Sequence, residues 1–292
     1  MAERRSVAAD VVGSKPTSRP NFLSTETLRV LLPRAPKFTP VAATVLAPSA
    51  HNLYAGTSGW AYPTWKPDFY PADVPARALL HFYASRLTSV EVNYTFRTLP
   101  TAPQLLGWLE ATPPGFRFSF KAPQSITHFQ RLLGSEAAVA EFVAALGPAR
   151  AAKKLGPLLF QLPPNFAADP GRLATFLAMP ALADRSLQVA FEFRHPGWFA
   201  EPTYATLRRY NVALCIAESD DLATPDVATA NFRCYRLRRN GGYSRVKLKA
   251  FATRFSDLAR TQEVFVYFKH EDEPTGALNA AAMLALSAKA GR

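Results

Sequence analysis

Short β-rich runs alternate with helical stretches eight times along this chain, and that alternation constrains its fold more than any other feature. The runs are Leu53–Ser58, Ser89–Thr95, Phe116–Lys121, Leu158–Leu162, Gln188–Arg194, Val212–Ala217, Phe232–Leu237 and Val264–Phe268. Helical stretches are predicted over Ala76–Arg86, Ala102–Ala111, Ser135–Lys154, Gly171–Met179, Glu201–Tyr210, Leu248–Arg260 and Gly276–Ala290. In the first of these, Leu79, Phe82, Tyr83 and Arg86–Leu87 follow the spacing of an amphipathic helix. The connection after strand six, Glu218 to Ala230, is too short and polar for a full helix.

Strands that each lead into a helix predict an α/β fold, and eight of them predict a (β/α)8 TIM-type barrel with one atypical short connection after strand six. The rival is an open doubly wound sheet, which carries a glycine-rich phosphate turn after its first strand. Here that turn reads Gly56-Thr57-Ser58-Gly59-Trp60, with neither G-x-G-x-x-G nor a Walker A lysine, so no nucleotide cofactor is indicated.

Residues 1–50 read differently. Pro16, Pro20, Pro33, Pro36, Pro40 and Pro48 interrupt them, and they carry a charge of +4. They are expected to be a flexible basic extension without a secretory leader pattern, and residues 51–292 a single barrel domain. No apolar run reaches the roughly 18–20 residues of a membrane span. Cys215 and Cys234 are too few for a disulfide framework, so a cytoplasmic setting is expected. Of the net +12, a local +8 falls in Asn231–Arg260, which predicts either a solvated rim or an anion-binding surface.

Barrel chemistry gathers at the carboxyl ends of the strands, and the two-residue period of a strand decides which side chains point inward. Glu91 and Asn93 share a face, as do Arg117, Ser119 and Lys121, and Glu192 and Arg194, with His195 just beyond. Strand four ends in Gln161, strand six in Glu218, strand seven in Arg236 and Arg238, and strand eight in Lys269 and His270. Buried without partners, such groups cost several kcal/mol each, so they must pair, line a wet mouth, or both. The expected catalytic set is Glu91, Glu192, Arg194, His195 and Lys121. The expected substrate-binding set is Trp60, Tyr62, Asn93, Gln161, Trp198, Arg236 and Arg238, the rings being suited to stacking on a sugar or base.

Several of these residues carry a resemblance. Gly56-Thr57-Ser58-Gly59-Trp60-Ala61-Tyr62, Phe69-Tyr70-Pro71, Glu91-Val92-Asn93-Tyr94-Thr95-Phe96, Ile126-Thr127-His128, Phe160-Gln161-Leu162-Pro163-Pro164 and Phe191-Glu192-Phe193-Arg194-His195-Pro196-Gly197-Trp198-Phe199 resemble the motifs of the YecE-like family, the domain of unknown function 72. The resemblance spans Leu53 to Leu286. It implies a TIM-type barrel and supplies no activity. Where the family tends to have His-Gly after strand seven and paired asparagines after strand eight, this chain has Arg238-Arg239-Asn240-Gly241-Gly242 and Lys269-His270.

Three functions follow as expectations. The leading one is hydrolysis of a phosphodiester or another anionic, sugar-containing substrate. In it Glu91 or Glu192 activates water, Arg194, Lys121 and Arg236 hold negative charge, and His195 shuttles a proton. The second is a glycosidase-like pair of Glu91 and Glu192. The third is a non-catalytic nucleic-acid or nucleotide-binding barrel using the basic stretch. The partner is then a small molecule or a nucleic acid rather than a membrane, and the oligomeric state is left open. His128, His195 and His270 are the histidines able to reach one face, which leaves a metal site open, but histidines in barrel loops more often hydrogen-bond locally and no metal is predicted.

Overall fold

Eight parallel strands form one sheet: β1 (Leu53–Thr57), β2 (Ser89–Val92), β3 (Arg117–Lys121), β4 (Leu155–Gln161), β5 (Val189–Glu192), β6 (Ala213–Glu218), β7 (Phe232–Leu237) and β8 (Glu263–Phe268). Each pairs with its sequence neighbour from β2 through β8, and β8 also pairs with β1, which curls the sheet into a barrel. The structure, a computed structural model, describes residues 52–290 except Asp221, His270 and Glu271. The expected extension and His270 lie outside the described residues.

The helices of the outer shell are α1 (Leu79–Arg86), α2 (Ala102–Glu110), α3 (Glu136–Ala145), α4 (Gly147–Ala151), α5 (Pro170–Leu177), α6 (Glu201–Tyr210), α7 (Arg245–Ala259) and α8 (Thr275–Ala290). The single helix expected over Ser135–Lys154 is two. Pro148 lacks an N–H and its ring crowds the carbonyl four residues back, so the chain breaks at Leu146 and restarts as α4. Between β6 and β7 the described residues hold no helix. Thr229 instead ties that segment to β6, its hydroxyl accepting from Leu214 N at 2.7 Å and donating to Val212 O at 2.7 Å.

Side chains facing the helices build the larger core, with Phe118, Phe120, Phe160, Phe191 and Trp198 all fully buried. Inside the barrel the lower half is apolar. Tyr54, Phe232, Phe265 and Tyr267 fill it opposite the small side chains of Ala190, Ala213, Cys215 and Cys234. Tyr54 stacks on Phe265 with ring centroids 4.8 Å apart. The expected polar interior is therefore restricted to the upper layer, above this plug.

One joint of the barrel is closed mainly by side chains. Between β1 and β2, Thr88 N donates to Ala55 O at 3.1 Å, and Thr88 Oγ1 accepts from Ala55 N at 2.9 Å. Further up, the Tyr83 hydroxyl accepts from Thr57 N at 2.7 Å and donates to Ser89 O at 3.1 Å. The strands approach so closely that a Cβ on Gly56 would stand 1.8 Å from Ser89 O. Glycine is required there by lack of space. Replacing Tyr83 with Phe leaves a buried donor and acceptor unpaired, and urea unfolding should show a loss of about 1–3 kcal/mol, the usual cost of such orphans. An unchanged urea midpoint would mean that the hydroxyl does not hold this joint.

Candidate active site at the barrel mouth

β2, β5 and β7 each end with one inward side chain in the upper barrel: Glu91, Glu192 and Arg236. Their side chains are 0, 3 and 1 % exposed, and the guanidinium lies between the two carboxylates. Arg236 donates through Nη2 to Glu91 Oε1 at 2.7 Å and through Nη1 to Glu192 Oε2. Ser58 Oγ donates to Glu91 Oε1 at 2.8 Å and accepts from Arg238 Nη1 at 2.8 Å. On the other side, Gln161 Nε2 and Arg194 Nε donate to Glu192 Oε1 at 2.9 and 3.3 Å.

Burial alone would push both carboxyls up, but the arginines outweigh it. Arg236, Arg238 and the Ser58 hydroxyl hold Glu91 below the usual carboxylate range. Glu192 falls to about 2 under Arg236, Arg194 and Arg238. Both glutamates are thus anions at neutral pH, and neither is a proton donor. The positive side of the mouth is less tightly paired. Burial and Arg236 bring Arg238 down to about 10. Lys121, from the end of β3, is lowered to about 8 by burial and by Arg236, with Glu91 and Glu192 opposing. Its Nζ sits 4.0 Å from the centre of the Phe96 ring. Among the described residues, Glu91 Oε2 and Asn93 Oδ1 are buried without a hydrogen-bond partner, so the acid layer retains two free acceptors.

Of the residues expected from sequence, Glu91, Glu192, Arg194, Lys121, Gln161, Arg236 and Arg238 are brought together. Asn93 joins them from the start of a 3₁₀ turn, Tyr94–Phe96, rather than from the strand face. Tyr62 reaches the rim, its hydroxyl donating to Ser58 O at 3.3 Å. Trp60 is partly buried against the edge of Trp108, at 5.2 Å. Two residues go elsewhere. His195 turns back on its own loop, Nδ1 accepting from Gly197 N at 3.1 Å, because the chain leaves the strand at Phe193. Trp198 is fully buried, stacked on Phe193 at 4.6 Å with its indole N–H donating to Phe166 O at 2.7 Å, so it packs the shell instead of binding substrate.

Sequence reasoning did not single out Ser58, although it continues the inward series Tyr54, Gly56, Ser58. His128 was weighed only as a metal ligand. It lies on the π-helical turn Ser125–Phe129, where burial, Lys121 and Arg194 lower its pKa. No group of three His, Cys, Asp or Glu side chains able to hold a metal ion occurs among the described residues.

The basic stretch Asn231–Arg260 does not form one surface. Arg236 is inside the barrel, Arg233 and Arg254 share Asp226, and Arg239 pairs with Glu218 and Asp220. Strand β7 turns Arg236 into the barrel and Arg233 out toward α7, where Arg233 and Arg254 meet at Asp226, so the stretch divides between the barrel interior and the outer wall.

The family model described as "Protein of unknown function DUF72" matches residues 54–292. The UPF0759 protein YunF of Bacillus subtilis is 30% identical over 156 residues, 52% of this chain and 54% of that protein. The UPF0759 protein YecE of Escherichia coli K12 is 30% identical over 149 residues, 51% of each. The chain therefore spans about half the length of the curated relatives it matches. The crystal structure of a DUF72 family protein from Thermotoga maritima superposes with a TM-score of 0.69 at 25% identity, covering 80% of this chain and 98% of that one.

Removing the central guanidinium should test the electrostatics directly. Arg236→Met leaves two carboxylates buried without their counter-ion, and should cost about 3–5 kcal/mol at pH 7. The wild type keeps the contribution of Glu192 above about pH 4.5 and loses it as pH falls toward about 2. In Arg236→Met the carboxyl pKa values should rise above their unfolded values, so stability should increase as pH falls from 7 to 5. Urea melts across that range check both signs, and a variant that weakens on acidification like the wild type would refute the assignment.

Proposed function

This chain belongs to the DUF72 family, and from that premise we propose that it is a barrel enzyme hydrolysing a phosphodiester in an anionic, sugar-containing substrate. The supporting observation is the division of charge in the mouth. Arg236 offsets one of the two carboxylate charges, while the further cations Lys121, Arg194 and Arg238 lie close to the same pair. A phosphodiester carries its charge on the oxygens that gain more of it in the transition state, and fixed cations at that point supply most of the catalysis such a reaction needs.

The free Oε2 of Glu91 is the acceptor that orients an attacking water. Lys121 and Arg194 face the developing charge, and Tyr62 at the rim contacts the sugar. The shift of the carboxyls makes them weak bases, so positioning and charge carry more of the rate than proton abstraction. A glycosidase pair is disfavoured, because it needs one carboxyl held protonated as the acid and both are held ionised. Among the described residues no helix is long and apolar enough to cross a membrane. Cys215 and Cys234, facing thiols 3.6 Å apart, fit a reducing, cytoplasmic setting.

Release of p-nitrophenol from bis(p-nitrophenyl) phosphate, and cleavage of short oligonucleotides, measure the activity. Arg194→Gln should lower kcat by about 10²-fold, the usual effect of losing one transition-state donor. Competition by inorganic phosphate should weaken as pH rises through about 8, where Lys121 loses its charge. Failure of any phosphodiester to turn over, with phosphate inhibition or binding absent at pH 7, would end this reading. Full activity in Glu91→Gln would remove Glu91 from its role.

A further inference from the structure

Two lysines of this chain have opposite surroundings, Lys121 at the inner end of β3 and Lys154 on the outer side just before β4. Lys154, below the sheet, donates from Nζ to Leu109 O at 2.6 Å, Thr112 O at 2.7 Å and Thr112 Oγ1 at 3.0 Å. All three N–H bonds are used, so although burial lowers its pKa, exposing a lone pair means giving up one of these bonds. The Nζ of Lys121 makes no hydrogen bond or ion pair among the described residues, although two carboxylates are close enough to act on its charge. Glu91 Oε1 and both oxygens of Glu192 are occupied by Ser58, Gln161, Arg194 and Arg236. What Nζ has instead is the face of Phe96, and guanidiniums that repel its proton.

From this contrast we propose that Lys121 Nζ is a nucleophile toward aldehydes and ketones bearing an anionic group, forming an imine in the mouth. The proposal goes beyond hydrolysis and rests on that reading in one respect, that the mouth admits anions. Arg194 and Arg238 hold the carboxylate or phosphate and set the carbonyl carbon beside the amine. The nitrogen lone pair forms the C–N bond while the carbonyl π pair moves to oxygen. The nitrogen then gives up its protons, the oxygen takes them and leaves as water, and a C=N bond remains. Amine plus carbonyl gives imine plus water, with no oxidant or reductant. The groups that face Nζ decide how often it is neutral. Arg236 and Arg194 disfavour the ammonium, Glu91, Glu192 and the Phe96 ring face favour it, His128 is held below its ordinary value and is neutral at this pH, and burial tips the balance so that titration occurs at about 8.

Trapping tests this without any turnover. The full chain is treated at pH 8 with sodium cyanoborohydride and either glyoxylate or uncharged propionaldehyde, and the reduced adducts are mapped by peptide mass spectrometry. With glyoxylate, Lys121 should be modified about tenfold or more faster than exposed Lys247, since far more of it is neutral than of an ordinary lysine. Lys154, with every N–H bonded, should lag both. The preference for Lys121 should shrink with propionaldehyde, and Arg194→Gln should slow glyoxylate labelling severalfold more than propionaldehyde labelling, the smaller shared loss reflecting a less neutral amine. Labelling of Lys121 at or below the rate of Lys247 overturns the proposal, and equal preference with both aldehydes overturns its anion selectivity. Either failure leaves phosphodiester hydrolysis standing, and loss of that activity would leave the trapping result intact.

Discussion

A single guanidinium holds the upper barrel together. Arg236 pairs with two buried carboxylates from strands that are not its neighbours, so three of the eight strands share one electrostatic knot. Any one of these charges alone would be costly to bury. Together they leave a single negative charge, which Arg194 and Arg238 offset from above. The arrangement fixes both carboxylates as anions, and that dictates the chemistry available to them: they can orient and attract, but they have no proton to give.

The inside of the barrel is divided accordingly. Below the knot, large aromatic side chains fill the space left by alanines and cysteines, and the hydroxyl of Tyr267 finds its partner in Ser89 Oγ at 2.8 Å. Above it the lining is charged and open to the loops. The apolar plug keeps water from the lower side of Arg236, so the attraction between charges acts through a medium of low polarisability and is stronger than at a surface. Lys121 stands at the boundary, with its stem in the wall and its nitrogen beside a ring.

Much of this was legible in the sequence, for a physical reason. Strand parity is strict, so Glu91, Glu192, Arg236 and Lys121 could be assigned to the interior once the strands were placed. Parity fails where a strand stops. Strand β5 ends at Glu192, so the direction of His195 depended on loop geometry that no periodicity encodes, and a motif residue became a local cap. Trp198 misled because aromatic composition does not distinguish a ring that binds from one that packs. Charge density left the use of the basic stretch open, because it does not say which side of the wall each cation faces: Arg236 turns into the barrel, whereas Arg233 and Arg254 meet outside it at Asp226. Strand β4 begins at Leu155, earlier than expected, because a proline inside a strand conceals it in the sequence: Pro157 sits where the β3–β4 register shifts, and its carbonyl accepts from Ser119 Oγ.

The joint between β1 and β2 gives the barrel a hinge line in an otherwise continuous hoop. A ladder of main-chain bonds resists shear through many equivalent rungs, whereas a seam held by the side chains of Thr88 and Tyr83 has few, and they act independently. The strands on its two flanks carry Ser58 and Glu91, whose mutual bond spans the gap. A slight sliding of one flank past the other therefore changes the spacing of the very groups that grip Arg238 and Arg236. The fit of the charged layer therefore depends on the registration of these two strands, which few bonds set.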